Sequence, residues 1–223
     1  MAEEGILDRD LKSLISENAK ELSSIEGNLL SASSGKEIKT ILVTSSNILE
    51  GKTVTSISMA YSLAVSTNVR VLLIEGNFQS PKIHEMFGVM PSPGLSDLLL
   101  SKSDYYAVVK KTEYSNLMII TLGSVSVKKI DAFDAEIFKE KLNILKKDFN
   151  YIIVDGSAVF GSSDPTYIAK SFDGVIFVVE CEKTKWEVLQ EAKDKVSKAG
   201  GNVIGVVLNK RIYYIPKILY AKA

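Results

Sequence analysis

Six short runs of this chain are apolar at almost every position: "IKTILVTS", "VRVLLIEG", "LMIITL", "YIIVDG", "GVIFVVE" and "NVIGVVLN". Each is too short for a helix, rich in β-branched residues, and continuous rather than alternating in hydrophobicity, as strands buried on both faces must be. Helical spacing of apolar residues separates most of them, over 53–65, 132–147, 165–170 and 185–198. Strands alternating with helices predict right-handed crossovers and an α/β fold, a mostly parallel sheet with helices on both faces.

Two stretches depart from that rhythm. Leu7, Leu11, Leu14, Ile15, Ala19, Leu22, Ile25 and Leu29 recur at spacings that predict an amphipathic helix, its stripe packed on the body or on another subunit. The polar "SASSGKE" at 31–37 breaks that pattern. Between 81 and 116, Pro91 and Pro93 interrupt, and "GLSDLLLSKSDYYAVVKK" reads as short helices in a longer excursion. The expected organisation is a helical extension over 1–35, a core domain over 36–210 and a tail over 211–223.

With 223 residues the chain can bury one sizeable core, and 27 basic against 27 acidic side chains leave no net field toward nucleic acid. No nucleic-acid partner is expected. Cys181 is the sole cysteine, so no internal disulfide forms, and its place in "VIFVVECE" predicts an inert, packed thiol. No apolar run reaches the ~20 residues of a membrane span. "MAEEGILDRD" lacks the basic and apolar regions of a signal peptide. A cytoplasmic location follows, with any membrane association made through a partner.

The chemistry-bearing stretch is "VTSSNILEGKTVTSISMAYSLA" over 43–64, where a strand end meets Gly51-Lys52-Thr53 and a helical pattern. A turn there aims backbone amides and a helix N-terminus at a phosphate. In the pattern G-x-x-x-x-G-K-[ST], Lys52 reaches the outer phosphates and Thr53 takes a Mg²⁺ position. Ser46 stands at the first glycine position, and Ser46, Glu50, Gly51, Lys52, Thr53 and Val54 are the candidate nucleotide-binding residues. Against the pattern, Ile48 and Leu49 precede Gly51, and a leucine resists the positive φ that glycine adopts freely.

Two further strand ends carry polar groups. Asp155 closes "YIIVDG", where P-loop proteins place the carboxylate that holds Mg²⁺ directly or through water. Glu75 and Asn77 follow "VLLI" two residues apart, which on an extended chain puts both on one side.

The succession "ILVTSSNILEGKT", "VLLIEGNFQSPKIHEMFG", "GLSDLLL", "FNYIIVDGSAVFGSSDP", "DGVIFVVE" and "VIGVVLNK", with a tyrosine-bearing tail, resembles the bacterial tyrosine kinases of capsule and exopolysaccharide assembly. The resemblance runs from about residue 28 to the C-terminus. It implies a P-loop NTPase-like, doubly wound fold, ATP or ADP with Mg²⁺ as cofactors, and a membrane polysaccharide co-polymerase as partner. It also implies self-association in a ring, with phosphorylation of tail tyrosines between subunits. Carried over residue by residue, it makes Lys52, Glu75 and Asp155 catalytic, gives Mg²⁺ to Thr53, Glu75 and Asp155, and places the Asn209 amide near the adenine. Tyr213, Tyr214 and Tyr220 become the candidate phosphoacceptors. His84, in step with the family's P-x-x-H-x-x-F-G, is expected to be structural, and Trp186 to pack in the core.

The departures matter as much. Ile48 and Leu49 replace the family's Pro-Gly, Glu75 and Asn77 its Asp-x-Asp, Gln79 its arginine, and Asp155 alone survives from its Asp-Thr-Pro-Pro. The Glu-x-x-Arg-x-x-Arg ring motif falls on Lys20, Ser23 and Glu26, which predicts impaired ring assembly. An Asn at 77 is a negligible base, and general-base help is worth about 10²–10⁴-fold in rate. Asn47, where ParA and MinD ATPases carry an extra lysine, counts against a ParA-type dimer. The sequence therefore points to a nucleotide-binding relative with weak or absent kinase activity that regulates polysaccharide export. A slow but genuine tyrosine kinase, or an interaction module without nucleotide, are the alternatives.

Overall fold

The computed structural model describes residues 5–17, 27, 37–124 and 135–211. In chain order these form α1 (Arg9–Glu17), β1 (Thr40–Ser45), α2 (Lys52–Ser66), β2 (Val71–Glu75), α3 (Ile83–Met86), α4 (Leu95–Leu99), α5 (Tyr105–Val108), β3 (Val109–Lys111), β4 (Leu117–Ile120), α6 (Ala135–Leu145), β5 (Tyr151–Ala158), α7 (Asp164–Ile168), β6 (Gly174–Glu180), α8 (Trp186–Lys198) and β7 (Val203–Asn209).

The strands make one sheet in the order β3-β4-β2-β5-β1-β6-β7. All neighbours run parallel except β3, which is antiparallel to β4. Alternation along each strand sends side chains to two cores. Leu42, Leu72, Ile74, Val154 and Phe177 join Phe138, Leu142, Leu189 and Val196 of α6 and α8 on one face. Ile41, Val43, Leu73, Ile153 and Ile176 join Ile57, Met59, Ala60 and Leu63 of α2 on the other. Covering on both faces is why the central runs read as continuously apolar.

The N-terminal stripe packs, over its described part, on the body. Leu7, Leu11 and Ile15 are buried in the α2-side core. Gly5 bridges Thr112, the Leu7 amide donates to Glu113 at 2.8 Å, and Lys12 pairs with the same carboxylate at 2.7 Å. Ala19, Leu22, Ile25 and Leu29, like the ring-motif positions, lie outside the described residues.

Three expectations need correction. Val109–Lys111, expected within short helices, is an edge strand. It is short, half-exposed and carries Lys110 and Lys111, the way edges are protected from further pairing, so it shows none of the apolar continuity of the inner strands. Trp186, expected in the core, is 66% exposed at the first turn of α8. Cys181 is also less enclosed than expected: it is half-buried in the turn after β6, its amide donating to the Asn209 carbonyl at 2.9 Å.

Candidate nucleotide site

The carboxyl ends of the parallel strands gather the chemistry. Thr40–Ser45 ends at the sheet centre, and the loop over 46–51 leads into α2. Gly51 caps the helix at φ 93°, with its α-carbon pressed against Asn209: a Cβ there would lie 1.9 Å from Asn209 Nδ2. Only glycine satisfies both the backbone and the space. The amides of the first turn of α2, from Lys52 to Val54, have no acceptor within the helix and are available to an anion.

Leu49 takes φ 65°, the conformation its side chain disfavours, and points outward at 77% exposure. Its side chain therefore does not fill the loop. Ile48 is exposed as well. At the base of the loop the fully buried Ser46 hydroxyl has no hydrogen-bond partner among the described residues. A buried polar atom without a partner is costly, and a phosphate oxygen or its water would satisfy it. Glu50 folds back beneath the loop, accepting the Asn47 amide at 3.0 Å and the Thr184 hydroxyl.

Lys52, Thr53 and Asp155 come together although 102 residues separate the latter two. The Thr53 hydroxyl donates to Asp155 Oδ2 at 2.7 Å, and the Ser56 hydroxyl lies 3.3 Å from Oδ1. Lys52 is only 6% exposed. Burial lowers its pKa, opposed by the charges of Asp155 and Glu50. Burial pushes Asp155 up to about 6, against the Thr53 hydrogen bond, the Lys52 charge and the Ser56 hydroxyl, with nearby Glu75 adding to the rise. Burial disfavours the charged form of both groups, and each partly offsets that cost for the other beside the amide-lined loop. Among the described residues there is no cluster of three or more His, Cys, Asp or Glu side chains for a metal. Mg²⁺ keeps waters and phosphate oxygens and asks the protein for one or two ligands. Thr53 and Asp155 fit that need.

Glu75 is placed differently. Its Cα pairs with that of Asp155, so both side chains leave the same sheet face. Yet its carboxylate accepts the Ile83 amide at 2.6 Å, the His84 amide at 3.3 Å and the Leu122 amide at 2.9 Å, with His84 Nδ1 at 3.1 Å. The residue assigned catalytic and metal roles from sequence thus spends both oxygens on the start of α3 and the end of β4. His84 has the structural contact expected of it. Asn77 turns to the neighbouring strand end, where the Ser157 hydroxyl lies 3.3 Å from its Oδ1.

The remaining candidates sit close by. Val54 is half-buried against the α2-side core. Asn209 reaches the loop, but its Nδ2 donates to the Glu50 carbonyl at 2.9 Å. Tyr213, Tyr214 and Tyr220 lie outside the described residues. Sequence reasoning missed Ser56, which the helical i, i+3 spacing from Thr53 could have found. It also missed Thr184 and Lys210, whose Nζ donates to the Leu49 carbonyl at 2.7 Å. Nothing local in the sequence signals either contact.

Comparison with known proteins agrees with this geometry. Residues 38–201 match the AAA domain family. The chain is 33% identical over 181 residues to tyrosine-protein kinase CpsD of Streptococcus pneumoniae serotype 4, covering 79% of this chain and 78% of that one. It is 24% identical over 192 residues to tyrosine-protein kinase YwqD of Bacillus subtilis, covering 86% and 81%. Among solved structures, the kinase domain of VpsO superposes with a TM-score of 0.79 at 28% identity, over 91% of this chain and 98% of that one. The chimerical protein CapA2B2 gives 0.82 at 23%, over 95% and 96%. The septum site-determining protein MinD of Pyrococcus horikoshii, complexed with Mg-ADP, shares the fold at a TM-score of 0.63 and 19% identity, over 82% and 76%. A P-loop sheet with its lysine, hydroxyl and acid in place, and kinase relatives along most of its length, make this chain a member of the AAA-domain family and, within it, of the bacterial tyrosine kinases of capsule and exopolysaccharide assembly.

Proposed function

We propose that this protein binds MgATP or MgADP through its phosphate loop, transfers the γ-phosphoryl group poorly, and regulates a polysaccharide export machine through a membrane co-polymerase partner. The observation that carries this reading is the contrast between two strand ends: Lys52, Thr53 and Asp155 stand assembled, whereas Glu75 is consumed by three backbone amides. Transfer to a tyrosine needs a group to take the phenolic proton, and Asn77 carries no charge with which to do so. Nucleotide binding through loop amides, Lys52 and Thr53 needs neither acid.

Among the described residues no helix is long and apolar enough to cross a membrane. In this reading a partner brings the protein to the cytoplasmic membrane face, and the tail tyrosines, if modified, are modified by another kinase. Calorimetry with MgATP and MgADP, alongside phosphotyrosine detection after incubation with ATP, tests the proposal. Micromolar binding with only trace phosphotyrosine is expected. Absence of binding returns the chain to an interaction module, and rapid Lys52-dependent labelling makes it a working kinase.

A further inference from the structure

Leu49 sits in left-handed backbone at φ 65°, and its outward side chain, 77% exposed, gains little packing among the described residues to offset the strain. What holds it comes from the far end of the chain. Lys210 Nζ donates to the Leu49 carbonyl at 2.7 Å and lies 3.0 Å from Glu180 Oε2, which anchors the ammonium. The adjacent Asn209 Nδ2 donates to the Glu50 carbonyl at 2.9 Å. Two consecutive carbonyls of the loop are therefore gripped by two consecutive residues where β7 ends.

A trans peptide is planar, with its carbonyl and the following N–H pointing opposite ways. Fixing the Leu49 carbonyl toward Lys210 turns the Glu50 N–H away from Lys210, and fixing the Glu50 carbonyl toward Asn209 turns the Gly51 N–H away from Asn209. Beneath, the Glu50 carboxylate ties back to the Asn47 amide and the Thr184 hydroxyl, a further restraint on the segment at Glu50. A glycine at 49 would take this conformation unaided; a leucine needs a hold.

We propose that Lys210, with Asn209, is a loop-positioning residue that fixes the peptide planes of Leu49 and Glu50, turning the Glu50 and Gly51 amides toward the phosphate. This gives one N–H of the Asn209 amide to the loop backbone and leaves its Oδ1 and second N–H to a base. The inference deepens the nucleotide-binding reading and rests on it for its effect on affinity, while its backbone consequence stands apart from nucleotide.

The test uses the full chain carrying Lys210→Met, Lys210→Arg, Leu49→Gly, and Leu49→Gly combined with Lys210→Met. Losing one charge-assisted hold on the loop should weaken MgADP about tenfold in Lys210→Met, and Lys210→Arg should stay within about threefold of the parent. In the Leu49→Gly background, Lys210→Met should cost less than about threefold, because glycine no longer needs the hold. In the protein without nucleotide, mass-spectrometric hydrogen exchange of a peptide spanning 46–54 should be at least about fivefold faster for Lys210→Met. Unchanged exchange overturns the proposal whatever happens with nucleotide, and so does equal weakening by Lys210→Met with leucine or glycine at 49. Failure of the parent protein to bind MgADP, with exchange faster in Lys210→Met, overturns the nucleotide reading and leaves the hold on the loop supported.

Discussion

The ends of β1 and β2 lie two strands apart on one edge of one sheet, and they have kept different things. After β1 the candidate phosphate and metal groups stand together: Lys52 buried, Thr53 on Asp155 at 2.7 Å, and the Ser46 hydroxyl buried without a partner among the described residues. After β2 the acid is still present, but its oxygens serve the Ile83, His84 and Leu122 amides. The comparison teaches that a carboxylate at the right strand end is no evidence of catalysis until its acceptor capacity is counted. An oxygen holding a short N–H bond at 2.6 Å has little left for a metal or a phenolic proton.

Substitutions at the two ends should behave in opposite ways. Lys52→Met removes the buried cation at the start of α2 that the proposed function gives to the outer phosphates. It should weaken MgATP about 1,000-fold by calorimetry, with little change in urea unfolding. Glu75→Gln should do the reverse. An amide nitrogen facing backbone donors forfeits the charged acceptor they share, costing on the order of 3 kcal/mol in urea denaturation while MgATP affinity moves less than about threefold. A glutamine variant that loses nucleotide but not stability would erase the distinction drawn here.

Asn77→Asp restores a base where the strand end lacks one. Phosphotyrosine formation in MgATP should rise about 100-fold, the lower range of general-base assistance, because Glu75 stays turned away. No rise would mean that the acid is not what limits transfer.

Asp155→Asn gives the smallest and most pH-specific effect. A carboxyl with a folded pKa of about 6 holds a proton that the unfolded chain has released, so its contribution to stability falls as pH rises from the usual carboxylate range to about 6. The variant should therefore gain on the parent by on the order of 2 kcal/mol between pH 4 and pH 7, then run level. A difference independent of pH would contradict the buried-acid assignment.

Legibility in the sequence followed burial. The inner strands β1, β2, β5 and β6 are covered on both faces, so their apolar runs announced them. β3 was illegible because an edge strand carrying Lys110 and Lys111 looks like any polar loop. Lys52, Thr53 and Asp155 could be read because strand ends fix them locally. The use made of Glu75 could not, since one of its donors is Leu122, 47 residues away. Trp186 misled for a related reason: a large apolar residue beside a helical pattern suggests core, but it occupies the first turn of α8, where the stripe of Leu189, Ala192 and Val196 has not yet begun.

That misplaced tryptophan has a practical use. It is the only one in the chain, it is open to solvent, and it follows by two residues Thr184, whose hydroxyl touches Glu50 beneath the loop. The protein's whole indole emission thus originates beside the candidate nucleotide site, and closure of neighbouring chain over it would shift that emission to the blue. Ligand titrations can be followed optically in the unlabelled protein.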